Sequence, residues 1–131
     1  MKVKNAYIIH ALFSNALDKL NQSPIPSKQC LELNAAIDEL AAHRDVLTRT
    51  RRSIVSKYAK KDEKGTMMVN TQTDEIIFPD TVTEEKCKKE LDEILNDGLE
   101  INLTNRIIVN GNDLWRPFEL RLLSDIIDIK N

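Results

Sequence analysis

The sequence predicts an α+β domain dominated by helix: an antiparallel helical hairpin with a long second helix, a small antiparallel β-sheet and two further short helices. Three observations lead there. Apolar residues recur at helical spacing from Cys30 to Tyr58, short β-prone runs bounded by turn-forming residues follow at 67–78, and amphipathic patterns return beyond Thr81. The 131 residues form one domain, 1–65 as the helical hairpin and 66–131 as β-hairpin, helix, strand and C-terminal helix.

The long helix organises the rest. Cys30, Leu33, Ile37, Leu40, Leu47, Ile54 and Tyr58 are separated by steps of three, four and seven, so they share one stripe. Arg44 and Arg51 occupy stripe positions where an apolar residue is expected, which fits stems that snorkel at the stripe's edge or pair with an acid. Ala35, Ala36, Ala41 and Ala42 widen the stripe and let a neighbour approach. Ser23-Pro24-Ile25-Pro26-Ser27 signals the start, with Ser27 as cap, and Gly65 the stop, after Lys60, Lys61 and Lys64. A helix of this length has more apolar face than one short partner covers.

Before it, Asn5 caps a first helix running to about Asn21, with Ile9, Phe13, Ala16, Leu17 and Leu20 inward. The short Ser-Pro-Ile-Pro connection makes the two helices antiparallel neighbours. After Gly65, Met67-Met68-Val69 and Glu75-Ile76-Ile77-Phe78 read as a β-hairpin around Asn70–Asp74, ended by Pro79.

Thr81 with Glu84 matches a capping box. The helix that follows turns Cys87, Leu91, Ile94 and Leu95 inward and Lys86, Lys88, Lys89, Glu90, Asp92 and Glu93 outward, and Gly98 stops it. Glu100–Thr104 alternates like a half-buried strand, and Arg106–Val109 continues it or pairs with it. Pro117 opens a last helix with Leu120, Leu123, Ile126 and Ile127 on its apolar side.

Composition narrows function. Hydrophobic content of 41% and charged content of 31% are ordinary for a globular chain. The net charge of −2 is unevenly spread: residues 44–64 carry eight cations against three anions, residues 65–131 seven against fourteen. Cys30 and Cys87 each sit in an apolar helical pattern and read as reduced, buried thiols. No apolar run approaches transmembrane length, and the N-terminus lacks a signal peptide's apolar region, so the expectation is a cytosolic protein with no membrane partner.

Catalytic constellations do not emerge. His10 and His43 have no second histidine at metal-binding helical spacing, and there is no Gly-rich phosphate loop or nucleophile elbow. The expectation is a protein without enzymatic activity, catalytic residues, metal or cofactor. Two surfaces carry functional content. Arg44, Leu47, Arg51 and Ile54 on the long helix, with Trp115, form the candidate protein-binding set, Trp and Arg being typical interface anchors. Trp115 also suits a simpler role, stapling the last helix to the core. Arg49, Arg51, Arg52 and Lys57 form the alternative, a nucleic-acid-binding run, although only Tyr58 interleaves it for stacking.

Three segments carry a family resemblance: Met1–Asn5, the stretch Ile54–Gly65 with Lys57-Tyr58-Ala59-Lys60-Lys61-Asp62-Glu63-Lys64-Gly65, and the acidic helix Glu84–Leu95 followed by Glu100-Ile101-Asn102-Leu103. Together they resemble the domain-of-unknown-function 1617 family, small proteins of tailed phages and prophages of Gram-positive hosts. Ala59 stands where that family commonly has glycine, and the middle of this chain is richer in arginine. The resemblance implies a phage accessory or structural protein, a virion or tail component or an assembly factor. Its partners would be phage proteins or a second copy of itself, in the host bacterial cytoplasm or incorporated into the virion. A phage inhibitor of a host protein is the remaining alternative. The family supplies no catalytic residues to transfer.

Overall fold

The computed structural model describes residues 1–130. Nine elements follow one another: β1 (Lys2–Lys4), α1 (Asn5–Ile8), α2 (Phe13–Gln22), α3 (Ser27–Tyr58), α4 (Thr81–Leu95), β2 (Gly98–Glu100), β3 (Ile107–Asn110), α5 (Pro117–Leu122) and β4 (Ile127–Lys130). The helix-dominated α+β class holds, and α2 packs on α3 across the predicted short connection.

The first helix is split. His10 interrupts it: its Nδ1 accepts the Leu12 N–H at 3.1 Å and its carbonyl accepts the Phe13 N–H at 3.0 Å, which draws the backbone out of the helical ladder. Asn5 is no side-chain cap. It is buried as the first residue of α1, where its Nδ2 donates to the Ile94 carbonyl at 2.8 Å. The inner face of α2 is Phe13, Ala16, Leu17 and Leu20, as its spacing requires.

Helix α3 ends at Tyr58 rather than Gly65, because Ala59 turns extended, with φ −66° and ψ 147°. Ser27 begins it without a side-chain cap, behind Pro26. Gly65 serves a tight turn instead. Its φ is +80°, a conformation that costs glycine little, and Asp62 closes the turn by accepting the Lys64 and Thr66 N–H groups at 2.9 and 3.0 Å. Of the anticipated hairpin a single bridge remains, Val69 with Ile76, and Met67 bridges Lys61 instead. Three short segments bond in a ring: Lys60 N–H to Ile77, Met68 N–H to Lys60 and Ile77 N–H to Met68, each carbonyl at 2.8–2.9 Å.

Helix α4 is capped one residue earlier than the capping-box reading placed it. Asp80, not Thr81, accepts the Thr83 N–H at 2.7 Å, since it is Asp80 that stands with extended backbone immediately before the first turn, where its carboxylate reaches the orphan donor. Glu90 is half-buried against α3 instead of facing solvent. Gly98 opens β2 rather than stopping α4.

The two sheets differ from the predicted one. β1 pairs antiparallel with β2, Val3 opposite Leu99, so the N-terminus supplies a strand that its few residues did not announce. β3 pairs parallel with β4, Ile107 opposite Ile127, with α5 in the crossover. The expected last helix thus stops at Leu122, and Ile126 and Ile127 are buried through the strand end. The apolar pair Ile126-Ile127 suits either state, and the open partner strand decides.

One buried cluster joins these parts. Val3, Ile8, Phe13 and Leu20 meet Leu33 and Leu40 of α3, and Ile107, Leu123 and Ile126 close the far side. The C-terminal third of α3 lies beyond this cluster, beside α4 and the 60–78 ring.

Candidate protein-binding site

That C-terminal third carries a cleft of about 280 Å³, lined by Thr48, Arg51, Arg52 and Val55 of α3 and by Met67 and Ile76 of the ring. The helix supplies Thr48, Arg51, Arg52 and Val55 on one flank through steps of one, three and four. The ring's hydrogen bonds hold Met67 and Ile76 opposite. A shallower depression continues past Met67 to Arg52, Lys57 and Lys61. The floor is apolar and the rim cationic, with no carboxylate among the lining residues of either depression.

The sequence-predicted residues distribute unevenly over this surface. Leu47 and Ile54 are 4% and 8% exposed, turned into the chain, so they are packing residues and not a contact stripe. Arg44 is half-buried, donates to the Ser14 hydroxyl and borders a smaller depression over Phe13, Leu17 and Ile37. Only Arg51 of that stripe reaches the cleft. Arg49, Arg51, Arg52 and Lys57 do not form one face either, since at about 100° per residue their side chains leave α3 in different directions. Arg51 and Arg52 flank the cleft, whereas Lys57 Nζ lies 3.4 Å from Glu90 Oε1 and 4.9 Å from the centre of the Tyr58 ring.

Glu90 anchors that end of α3. The nearby Tyr58 hydroxyl holds its carboxyl below the ordinary range against the burial that pushes it up, and Lys57 adds to the effect. Lys57 is raised in turn by Tyr58 first and then by Glu90, which keeps it charged.

Trp115 is not among the residues that line the cleft. It packs half-buried on the core, with Lys19 Nζ 4.6 Å from its ring centre, so the stapling role fits its surroundings. Lys19 also bonds the Leu114 carbonyl and lies 3.2 Å from Glu119 Oε1. The Glu119 carboxyl accepts the Arg116 N–H at 2.7 Å. Burial pushes this carboxyl up, but the Arg116 N–H and Lys19 outweigh it and leave it lowered. Beside this staple, Leu114 is 90% exposed.

Comparison with family models, with curated proteins and with solved structures finds no match. Among the described residues no helix is long and apolar enough to cross a membrane, and no three His, Cys, Asp or Glu side chains converge as metal ligands.

Val55, Met67, Ile76 and Lys61 escaped the sequence reading because the cleft joins two segments distant along the chain. A signal was present for Val55 alone: it is apolar, one step off the buried stripe and four residues after Arg51.

Proposed function

We propose that this chain is a phage-encoded, non-enzymatic protein that works by binding other proteins, as a virion or tail component or as an assembly factor. The observation that carries the reading is the cleft at the end of α3, where an apolar floor of Val55, Met67 and Ile76 lies beside two arginines. Such a site takes an apolar side chain of a partner segment and pairs flanking carboxylates with Arg51 and Arg52, bidentate where geometry allows. The resemblance of the 54–65 and 84–103 segments to the phage family supports the same class of role, in the host cytoplasm or on the virion.

The test immobilises the chain and offers it the virion and assembly proteins of a phage encoding it. One phage protein retained by the wild type and lost with Arg51→Glu/Arg52→Glu is the expected result. Retention of none, or retention indifferent to the pair, overturns it. The nucleic-acid alternative through Arg49, Arg51, Arg52 and Lys57 is read in parallel: a DNA or RNA shift that weakens steeply with salt supports it instead.

A further inference from the structure

Among the described residues, helix α3 has a face that no other element covers. Leu31, Ala35, Asp38, Ala42, Val46 and Arg49 follow one another in steps of three and four and are all exposed, Leu31 at 75% and Val46 at 46%. At about 100° per residue they occupy the side of the helix opposite the buried Leu33, Leu40 and Leu47. The stripe from Leu31 to Arg49 is about 27 Å long, at about 1.5 Å per residue.

Its charge is divided by position. Asp38, Glu39 and Asp45 precede Val46, and Arg49 and Arg52 follow it. Among the described residues none of these five enters an ion pair, and Arg49 only donates to the Asp45 carbonyl at 3.4 Å.

We propose that α3 pairs antiparallel with α3 of a second copy of this chain, about a twofold axis at the level of residues 43–44. The charge order selects the occupant and its direction. A twofold axis perpendicular to both helices keeps each flank of the stripe facing its own equivalent, so a residue near 38 meets one near 49. Asp38 and Arg49 lie on the same flank and therefore meet twice, once on each side of the axis. A parallel pair sets Asp38 on Asp38 and Arg49 on Arg49, which repel. Ala35 and Ala42 let the helices approach, and Val46 of each copy packs over Ala42 of the other beside the axis. Arg52, a flanking charge here, also lines the Arg51–Met67 cleft, whereas the stripe residues from Leu31 to Arg49 do not.

Sedimentation velocity over a concentration series tests it, with circular dichroism checking that each variant is folded. The wild type forms a dimer, weakened by salt. Asp38→Arg or Arg49→Asp each places like charges across the interface and raises the dimer dissociation constant at least about tenfold. The double variant Asp38→Arg/Arg49→Asp restores the dimer, and mixing the two single variants gives a one-to-one heterodimer. Arg121→Glu, an exposed change on α5 away from this face, leaves self-association unchanged. Because all the changes are at exposed positions, a monomer with an unchanged spectrum reads the interface. A wild type that stays monomeric at the highest concentration, a monomer that holds a different protein on this face, or a dimer indifferent to both reversals overturns the proposal. So does a double variant that fails to recover.

Discussion

His43 Nε2 lies 2.8 Å from Oδ1 of Asn5, and this contact ties the N-terminal segment to the long helix. Asn5 spends its other polar groups on a third element: Nδ2 donates to the Ile94 carbonyl at 2.8 Å and the backbone N–H to the Asp97 carbonyl at 2.9 Å. With Nδ2 committed as donor, Oδ1 is the acceptor, so His43 carries its proton on Nε2 here. One buried side chain thus joins α1, α3 and the end of α4.

Replacing Asn5 by alanine leaves His43 without this partner and the Ile94 carbonyl with only the Asp97 N–H at 3.2 Å, in a partly buried place, a loss of about 1–3 kcal/mol. His43→Ala removes a single contact and costs less. The double variant is less destabilised than the two singles added together, because both changes break the same bond. Urea denaturation of the four proteins checks the cycle, and additive losses would show that the contact carries no coupling.

What the sequence made legible follows from how local each signal is. The buried stripe of α3 and the inner face of α2 were readable because Leu33, Leu40, Leu47 and Phe13, Ala16, Leu20 repeat within a few turns of one element. The splitting of the first helix was not, since it depends on His10 bonding to its own backbone. β1 was hidden for a different reason: Lys2-Val3-Lys4 has no pattern of its own and becomes a strand only beside Gly98–Glu100. Ile126-Ile127 is apolar enough for helix or strand, and the parallel partner Ile107 lies twenty positions away. The candidate site fared similarly. Arg51 and Arg52 were visible as a basic run, but the apolar floor they flank is assembled by the 60–78 ring.

Gly98 illustrates such a hidden requirement. A Cβ there would stand 2.4 Å from the Val3 carbonyl oxygen and 3.0 Å from Lys2 Cγ, so β1 cannot stay in register against an alanine. Gly98→Ala is expected to destabilise by about 1–3 kcal/mol through this overpacking. Gly65→Ala meets nothing within 4 Å, but the φ of +80° strains it by about 1–2 kcal/mol, confined to the exposed turn. Amide hydrogen exchange separates the two: Gly98→Ala opens the β1–β2 amides, and Gly65→Ala leaves them protected.

The two thiols should react at different rates. Cys87 is 1% exposed, and burial pushes its thiol up, with Glu90 and Glu84 adding to the shift, so little reactive thiolate forms at neutral pH. Cys30 is only half-buried near the start of α3. Mass spectrometry after brief alkylation of the native chain should find Cys30 labelled first and Cys87 only once the chain unfolds. Equal labelling would place Cys87 in an opening segment.

The cap of α4 gives a pH dependence of defined sign. Asp80 is held below its ordinary 3.8, first by the Thr83 backbone N–H and then by the Thr83 side chain. A carboxylate depressed in the folded state contributes stability that is present above its unfolded value and lost as pH falls through the folded one. Asp97, lowered chiefly by Lys2, acts in the same direction. The melting temperature should therefore hold from neutral pH to about 4 and fall below it, with α4 losing helix early. Asp80→Asn keeps an oxygen to accept the Thr83 N–H but cannot titrate, so its melting temperature stays near that of the wild type at neutral pH and falls less steeply in acid. Asp80→Ala lowers it at neutral pH already. Thermal circular dichroism of the three proteins across the acid range decides, and an Asn variant with an unchanged acid slope would move the titration away from the cap.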